Sequence, residues 1–128
     1  MNQTEMLEKY KAQSIHYFEN ALSSVQGGDA EKAGEFLWGS LAEAIKAVAA
    51  SKRAELKTHW EIGDYARRLA KEMKDESILN VYRDASYLHS NYYEAGLTIE
   101  EVQTYVDRIR TMVVKLLDLI PKQDWSGG

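Results

Sequence analysis

The side chains best suited to chemistry lie on one segment, residues 75–94. Arginine can hold a phosphate through two parallel hydrogen bonds, and histidine is the side chain that changes charge near neutral pH. Placing successive residues about 100° apart on a helix groups an aromatic and polar set beside the apolar stripe of this segment. The set comprises Tyr82, Ser86, His89 and Tyr93, with Arg83 at its far edge. A solvated face usually carries Lys and Glu instead, so this face predicts a partner interface that holds a polar site.

The chain lacks the residues that other common active sites of helical proteins require. The chain has no cysteine, which excludes disulfides, thiol catalysis and cysteine-ligated metals. The three histidines (His16, His59 and His89) neither follow a glutamate by three residues nor pair at metal-binding spacing. There is no phosphate-cradling glycine loop and no nucleophile elbow. We therefore expect no metal and no cofactor, and we interpret His16 and His59 as structural.

Apolar residues recur at helical spacing along the chain, and no stretch alternates with period two for long enough to form a strand. The sequence thus predicts an all-α fold, an antiparallel bundle of four to five helices. The predicted helices span about 4–26, 29–54, 58–74, 75–94 and 98–120. Thr58 with Glu61, and Thr98 with Glu101, have the spacing of capping boxes at two helix starts. The 128 residues predict one domain, with a core over about 4–120 and a flexible tail at 121–128.

The last predicted helix carries a stripe of apolar residues at alternating spacings of three and four. They are Ile99, Val102, Val106, Ile109, Val113, Leu116 and Ile120. This stripe favours a core seam over an intermolecular coiled coil, and the sequence leaves open whether it packs within or between subunits. Trp38 and Trp60 are also predicted to lie in the core.

Composition limits the classes of partner. A formal net charge of −4 disfavours sequence-independent binding to nucleic acid, so any such function needs a local basic site. The polar, acidic N-terminus does not look like a signal peptide, and no apolar run approaches the roughly 20 residues of a membrane span. We expect a cytoplasmic protein without membrane contact.

The motif segment resembles a known superfamily. Arg83 and His89 form an R-x5-H pattern, which is similar to the R-x4–6-H signature of the HEPN (higher eukaryotes and prokaryotes nucleotide-binding) domains. The string Leu-His-Ser-Asn-Tyr-Tyr-Glu at 88–94 resembles, more narrowly, a stretch of the archaeal PaREP family, a HEPN-like group. An alanine-rich helix that ends near Lys52 and Arg53, followed by a His–Trp helix start, fits the same group. The resemblance covers about residues 30–120.

This resemblance implies a HEPN-like bundle that forms a homodimer across the motif helix. His89 would act as general acid–base on RNA, Arg83 would hold the scissile phosphate, and Asp84 would orient or support them. Tyr82, Ser86 and Tyr93 would contribute binding or interface contacts. Such chemistry makes a metal-independent RNase, because the ribose 2′-hydroxyl is the nucleophile. RNA or a nucleotide would be the ligand, and a nucleotidyltransferase-like protein could be a partner.

Two alternatives stay open. The chain could be a non-catalytic interaction module, either a homodimer or half of a toxin–antitoxin-like pair, whose tyrosine-rich face binds protein. Buried, fully hydrogen-bonded His89 and an ion-paired Arg83 would favour this alternative. A small molecule or nucleotide bound between helices is the third possibility, and no sequence feature of its own supports it.

Overall fold

A computed structural model describes residues 2–90 and 96–122 of the chain. These ranges contain five α-helices and no β-strand residue, which confirms the predicted all-α class. The helices are α1 (Gln3–Gln26), α2 (Ala30–Ser51), α3 (His59–Met73), α4 (Glu76–Ser90) and α5 (Ile99–Asp118). Their starts lie within one residue of the predicted starts. The predicted end of the fourth helix, near residue 94, lies outside the described residues.

Polar side chains at the helix starts explain this agreement, because each accepts a backbone N–H that the helix itself leaves without a partner. The side chain of Thr58 accepts from the N–H of Glu61 at 3.1 Å, and Thr98 accepts from the N–H of Glu101 at 3.2 Å. The carboxylate of Glu61 in turn accepts from the N–H of Lys57 at 3.2 Å. Both predicted capping sites therefore begin helices.

The second helix is the centre of the bundle and contacts each of the other four. Its alanines and glycines allow neighbouring helices to approach closely, and most of its residues are buried. At the crossing with α1, the hydroxyls of Ser14 and Ser40 each donate to the other residue's backbone carbonyl at 2.8 Å. These buried hydroxyls are therefore satisfied, and they fix the alignment of α1 on α2.

The apolar stripes of the last two helices face this centre. In α5 the buried members are Val102, Val106, Ile109, Val113, Leu116 and the following Ile120. The stripe therefore forms a seam inside the chain, because α5 packs on α2, α4 and α1. In α4 the buried members are Ile78, Val81, Ala85 and Leu88. Among the described helices, none has the length and apolar character to cross a membrane.

Candidate functional site

Four aromatic rings from α2, α3 and α4 form one cluster, which we call the aromatic cluster: Trp38, His59, Tyr82 and His89. The imidazole of His89 stacks on the indole of Trp38, with ring centroids 5.3 Å apart and planes 18° apart. The ring of His59 meets both at near right angles, with centroids 5.3 Å from each. Tyr82 packs on Trp38 with centroids 5.7 Å apart. Since Trp38 is buried, it is a fixed platform for the other three rings.

The carboxylate of Glu35, one turn before Trp38 on α2, orients His89. Nδ1 of His89 lies 2.9 Å and 3.1 Å from the two carboxylate oxygens of Glu35. An ionised carboxylate only accepts hydrogen bonds, so Nδ1 carries the proton and donates it. In the neutral imidazole, Nε2 then keeps its lone pair and can accept a proton. The side chains of His89 and Glu35 are 32% and 42% exposed, so the pair lies at the edge of the core and is accessible from solvent.

Beside the aromatic cluster, a cavity of about 210 Å³ lies between α3 and α4, and we call it the α3–α4 pocket. Its lining includes His59, Trp60, Gly63, Arg67, Tyr82 and Arg83. Two of these residues, His59 and Tyr82, also belong to the aromatic cluster. The pocket and the Glu35–His89 pair are therefore neighbouring parts of one surface strip.

Tyr82 forms the wall between pocket and cluster, and Gly63 makes room for it. A Cβ at position 63 would lie only 2.8 Å from the Tyr82 hydroxyl oxygen. That hydroxyl donates to the backbone carbonyl of His59 at 3.5 Å, a long contact. Burial raises the pKa of Tyr82 above its ordinary value, so the hydroxyl stays protonated well beyond neutral pH.

The structure brings only part of the predicted site together. Arg83 and His89 lie six residues apart on α4, which is about 9 Å along the helix axis. Arg83 is exposed in the α3–α4 pocket and pairs with no carboxylate among residues 2–90 and 96–122. Asp84 instead points to α5, where it forms an ion pair with Arg108 at 2.5 Å. Ser86 is half-buried, and the predicted contact residue Tyr93 lies outside the described residues.

The aromatic face of α4 was predicted to contact a partner, and in the structure α2 and α3 of the same chain cover much of it. The sequence had indicated neither Glu35 nor Trp38 as a neighbour of His89. It also placed Trp60 in the core, which is wrong because the indole is 74% exposed. His59 was given no specific contact, yet it joins the cluster to the pocket. No signal in one sequence links these residues, because the contacts join positions as far as 54 residues apart.

Within the described part of the chain, no group of three or more His, Cys, Asp or Glu side chains is arranged to hold a metal ion. The residues of this surface offer an imidazole oriented by a carboxylate, together with the exposed guanidinium groups of Arg67 and Arg83. An imidazole held by a carboxylate can move a proton at Nε2, and a guanidinium can bind a phosphate.

Comparisons with known proteins establish the fold and the family. A protein from Sulfolobus solfataricus with a solved crystal structure superposes with a TM-score of 0.74 at 19% sequence identity, over 85% of this chain and 97% of that chain. At this identity the likeness shows the fold alone. A search of curated proteins finds no match. The model of the archaeal PaREP1/PaREP8 family matches residues 9–113, which is most of the 128-residue chain. The chain therefore belongs to the archaeal PaREP1/PaREP8 family.

Proposed function

We propose that this protein is a HEPN-like, metal-independent endoribonuclease that acts as a homodimer in the cytoplasm. His89 is the general acid–base and Arg83 binds the scissile phosphate. The observation that carries the proposal is the Glu35–His89 pair, a half-exposed imidazole whose tautomer a carboxylate fixes at 2.9 Å. A carboxylate on Nδ1 that leaves Nε2 free at a solvent-accessible edge is the arrangement that a general acid–base uses.

The proposed reaction is an internal transfer at phosphorus. Nε2 of His89 accepts the proton of the ribose 2′-hydroxyl, and the 2′-oxygen forms a bond to phosphorus. The bond from phosphorus to the 5′-oxygen breaks, which gives a 2′,3′-cyclic phosphate and a 5′-hydroxyl. The leaving 5′-oxygen takes a proton from Nε2 of the second subunit's His89, which enters the step as an imidazolium. Afterwards the first His89 gives its extra proton to solvent and the second takes one from solvent, which restores both imidazoles.

The other residues have supporting roles in this proposal. Glu35 keeps the proton of His89 on Nδ1 and stabilises the imidazolium that forms during the reaction. Arg83 neutralises charge on the non-bridging phosphate oxygens. Asp84 supports the site indirectly, because its ion pair with Arg108 ties α4 to α5. Tyr82 forms the wall between the aromatic cluster and the α3–α4 pocket. Ser86 and Tyr93 are proposed to contact the second subunit.

Cleavage of a labelled single-stranded RNA in excess EDTA tests the proposal. We expect His89→Ala to slow cleavage by roughly 10²- to 10⁴-fold, the usual contribution of a general acid–base. Glu35→Gln should also slow it strongly, because an amide can donate to Nδ1 and so favour the tautomer with its proton on Nε2. Matched controls come from α1, where His16 and Glu19 are both exposed. His16→Ala and Glu19→Gln should cleave at the wild-type rate.

Two results would count against catalysis by this site. One is a wild-type protein that leaves RNA intact in EDTA. The other is an activity that His89→Ala and Glu35→Gln leave unchanged while both variants keep the wild-type helix content and melting temperature. In the second case the activity would come from elsewhere in the chain or from a contaminant.

A second candidate function, a non-catalytic interaction module, is favoured by an apolar cleft of about 330 Å³ between α1 and α5. Its rim carries Ile15 and Val114, which are 49% and 55% exposed. Phe18 and Leu117 extend the same apolar lining. Large apolar side chains clustered at a surface are typical of protein contacts. A second copy, or a nucleotidyltransferase-like partner, could cover this cleft.

Both candidates include a homodimer, so sedimentation of wild type and of Ile15→Glu separates them only together with the RNA-cleavage assay. A self-association that Ile15→Glu abolishes, in a protein that leaves RNA intact, would support the interaction module. A monomer in both cases, over a wide concentration range, would remove the self-associating form of this alternative.

A further inference from the structure

We infer that the α3–α4 pocket binds the nucleotide of single-stranded RNA that carries the scissile phosphate, with Arg67 joining Arg83 on that phosphate and Trp60 stacked on the base. The inference rests on the proposed function for the identity of the ligand as RNA. It adds two residues, Arg67 and Trp60, to which neither the motif nor the proposed mechanism gives a role.

The α3–α4 pocket carries positive charge. Arg67 and Arg83 both line it, both are exposed, and neither pairs with a carboxylate in the ranges 2–90 and 96–122. The acidic lining residue, Asp64, is already engaged by Arg68 at 3.3 Å. Two guanidinium groups therefore remain available in a chain whose net charge is −4. This is the local basic site that an acidic protein needs in order to hold a phosphate.

The indole of Trp60 lies at the edge of the same pocket. It is 74% exposed at the start of α3, so burial in the core does not account for a tryptophan at this position. An exposed aromatic ring next to arginines matches the way single-stranded nucleic acids are bound, with bases stacked on rings and phosphates on cations. A tryptophan beside two unpaired arginines thus fits a nucleotide better than it fits an apolar peptide.

The size and position of the pocket also suit a nucleotide. The cavity of about 210 Å³ equals the liquid volume of about seven water molecules, which suits a phosphate with its sugar. His59 lines the pocket and also contacts the ring of His89. A nucleotide in the pocket would therefore lie next to the imidazole proposed to act on the chain.

The test is binding of a 2′-O-methyl oligoribonucleotide, which lacks the 2′-hydroxyl and so cannot be cut by the proposed reaction. Calorimetric titration should give affinities for wild type and variants without interference from turnover. We expect Trp60→Ala to weaken binding by roughly 5- to 150-fold, the effect of losing one stacked base. Trp60→Phe should keep most of the affinity. Arg67→Gln should weaken binding and reduce its salt dependence by about one phosphate contact.

An arginine away from the pocket is the matched control. Arg110 is exposed on α5, pairs with Asp107 and does not line the α3–α4 pocket. Arg110→Gln should therefore bind the oligonucleotide as wild type does. Equal binding by wild type, Trp60→Ala and Arg67→Gln would overturn the inference, as would a wild type that does not bind. Inorganic phosphate binding as tightly as the oligonucleotide would overturn the stacking role of Trp60.

The binding test can refute the nucleotide pocket without refuting the proposed catalysis, and the cleavage assay can do the opposite. Binding that depends on Trp60 and Arg67 in a protein without nuclease activity would retain the nucleotide pocket and remove the RNase. Cleavage that depends on His89, together with binding that is unchanged in the Trp60 and Arg67 variants, would retain the RNase and remove the nucleotide pocket.

Discussion

The contact between Gly63 and Tyr82 allows a quantitative test of the pocket wall. Gly63→Ala adds a methyl group 2.8 Å from the Tyr82 hydroxyl oxygen, closer than side-chain atoms normally approach. Overpacking of this kind costs about 1–3 kcal/mol. The same substitution removes a glycine from the interior of α3, which stabilises a helix by about 0.5–1 kcal/mol. In wild type the two effects oppose, so we expect the free energy of unfolding to be unchanged or to fall by up to about 2.5 kcal/mol.

Removal of the Tyr82 hydroxyl should reveal the stabilisation of α3 that Gly63→Ala provides. In the Tyr82→Phe background the nearest ring atom lies at 3.2 Å, so most of the close contact is relieved. Gly63→Ala should then be more favourable by about 1 kcal/mol than it is in wild type. Urea unfolding followed by circular dichroism, on all four proteins of this double-mutant cycle, measures that coupling.

The matched control is Gly34 in α2, where an added Cβ would meet Leu88 at an ordinary distance of 3.6 Å. Gly34→Ala should stabilise both backgrounds equally, by about 0.5–1 kcal/mol. The reasoning is refuted if Gly63→Ala stabilises wild type as much as Gly34→Ala does, with no coupling to Tyr82. That result would mean that Tyr82 does not pack closely against Gly63 of α3 and does not form the pocket wall.

Three further predictions concern the supports of the site. Ser40→Ala should lower the free energy of unfolding by about 0.5–1.5 kcal/mol in a urea titration, because it removes a buried hydrogen bond to Ser14 at 2.8 Å; no loss would show that this bond does not stabilise the crossing. Asp84→Asn should cost no more than about 1 kcal/mol, because Arg108 is half-exposed and solvent screens the pair; Arg108→Gln should add little on top, and full additivity of the two would contradict the pairing. Since burial raises the pKa of Tyr82 in the folded chain, its contribution to stability is complete below about pH 10 and is lost as the pH rises through the folded pKa; Tyr82→Phe should reduce the alkaline loss measured by thermal unfolding, and an unchanged loss would contradict it.

Local patterns predicted the helices well because their causes are local. The capping threonines Thr58 and Thr98 are three residues from their glutamates, so their contacts can be read from spacing alone. The stripe of α5 was predicted as a core seam for the same reason, and its members from Val102 to Ile120 are buried. The resemblance to the PaREP family, carried by residues 88–94 and their context, was confirmed over residues 9–113.

The site was harder to predict because its contacts join distant positions. His89 was selected for its chemistry, but its partner Glu35 lies on another helix, and only tertiary packing brings the two together. Trp60 was wrongly predicted to lie in the core because tryptophan is usually buried, and its position on the helix was not taken into account. Trp60 precedes the buried Ile62 by two residues, which places it on the far side of α3 from the core.

The most direct test of the central claim is cleavage of two matched oligonucleotides by the wild-type protein in excess EDTA. One is all RNA, and the other carries a single 2′-deoxy sugar at the preferred cleavage position. The account predicts that the RNA is cut to a 2′,3′-cyclic phosphate and that the 2′-deoxy position resists cleavage. Cleavage of both oligonucleotides at that position, or of neither, would contradict the role of Nε2 of His89 as the base for a ribose 2′-hydroxyl.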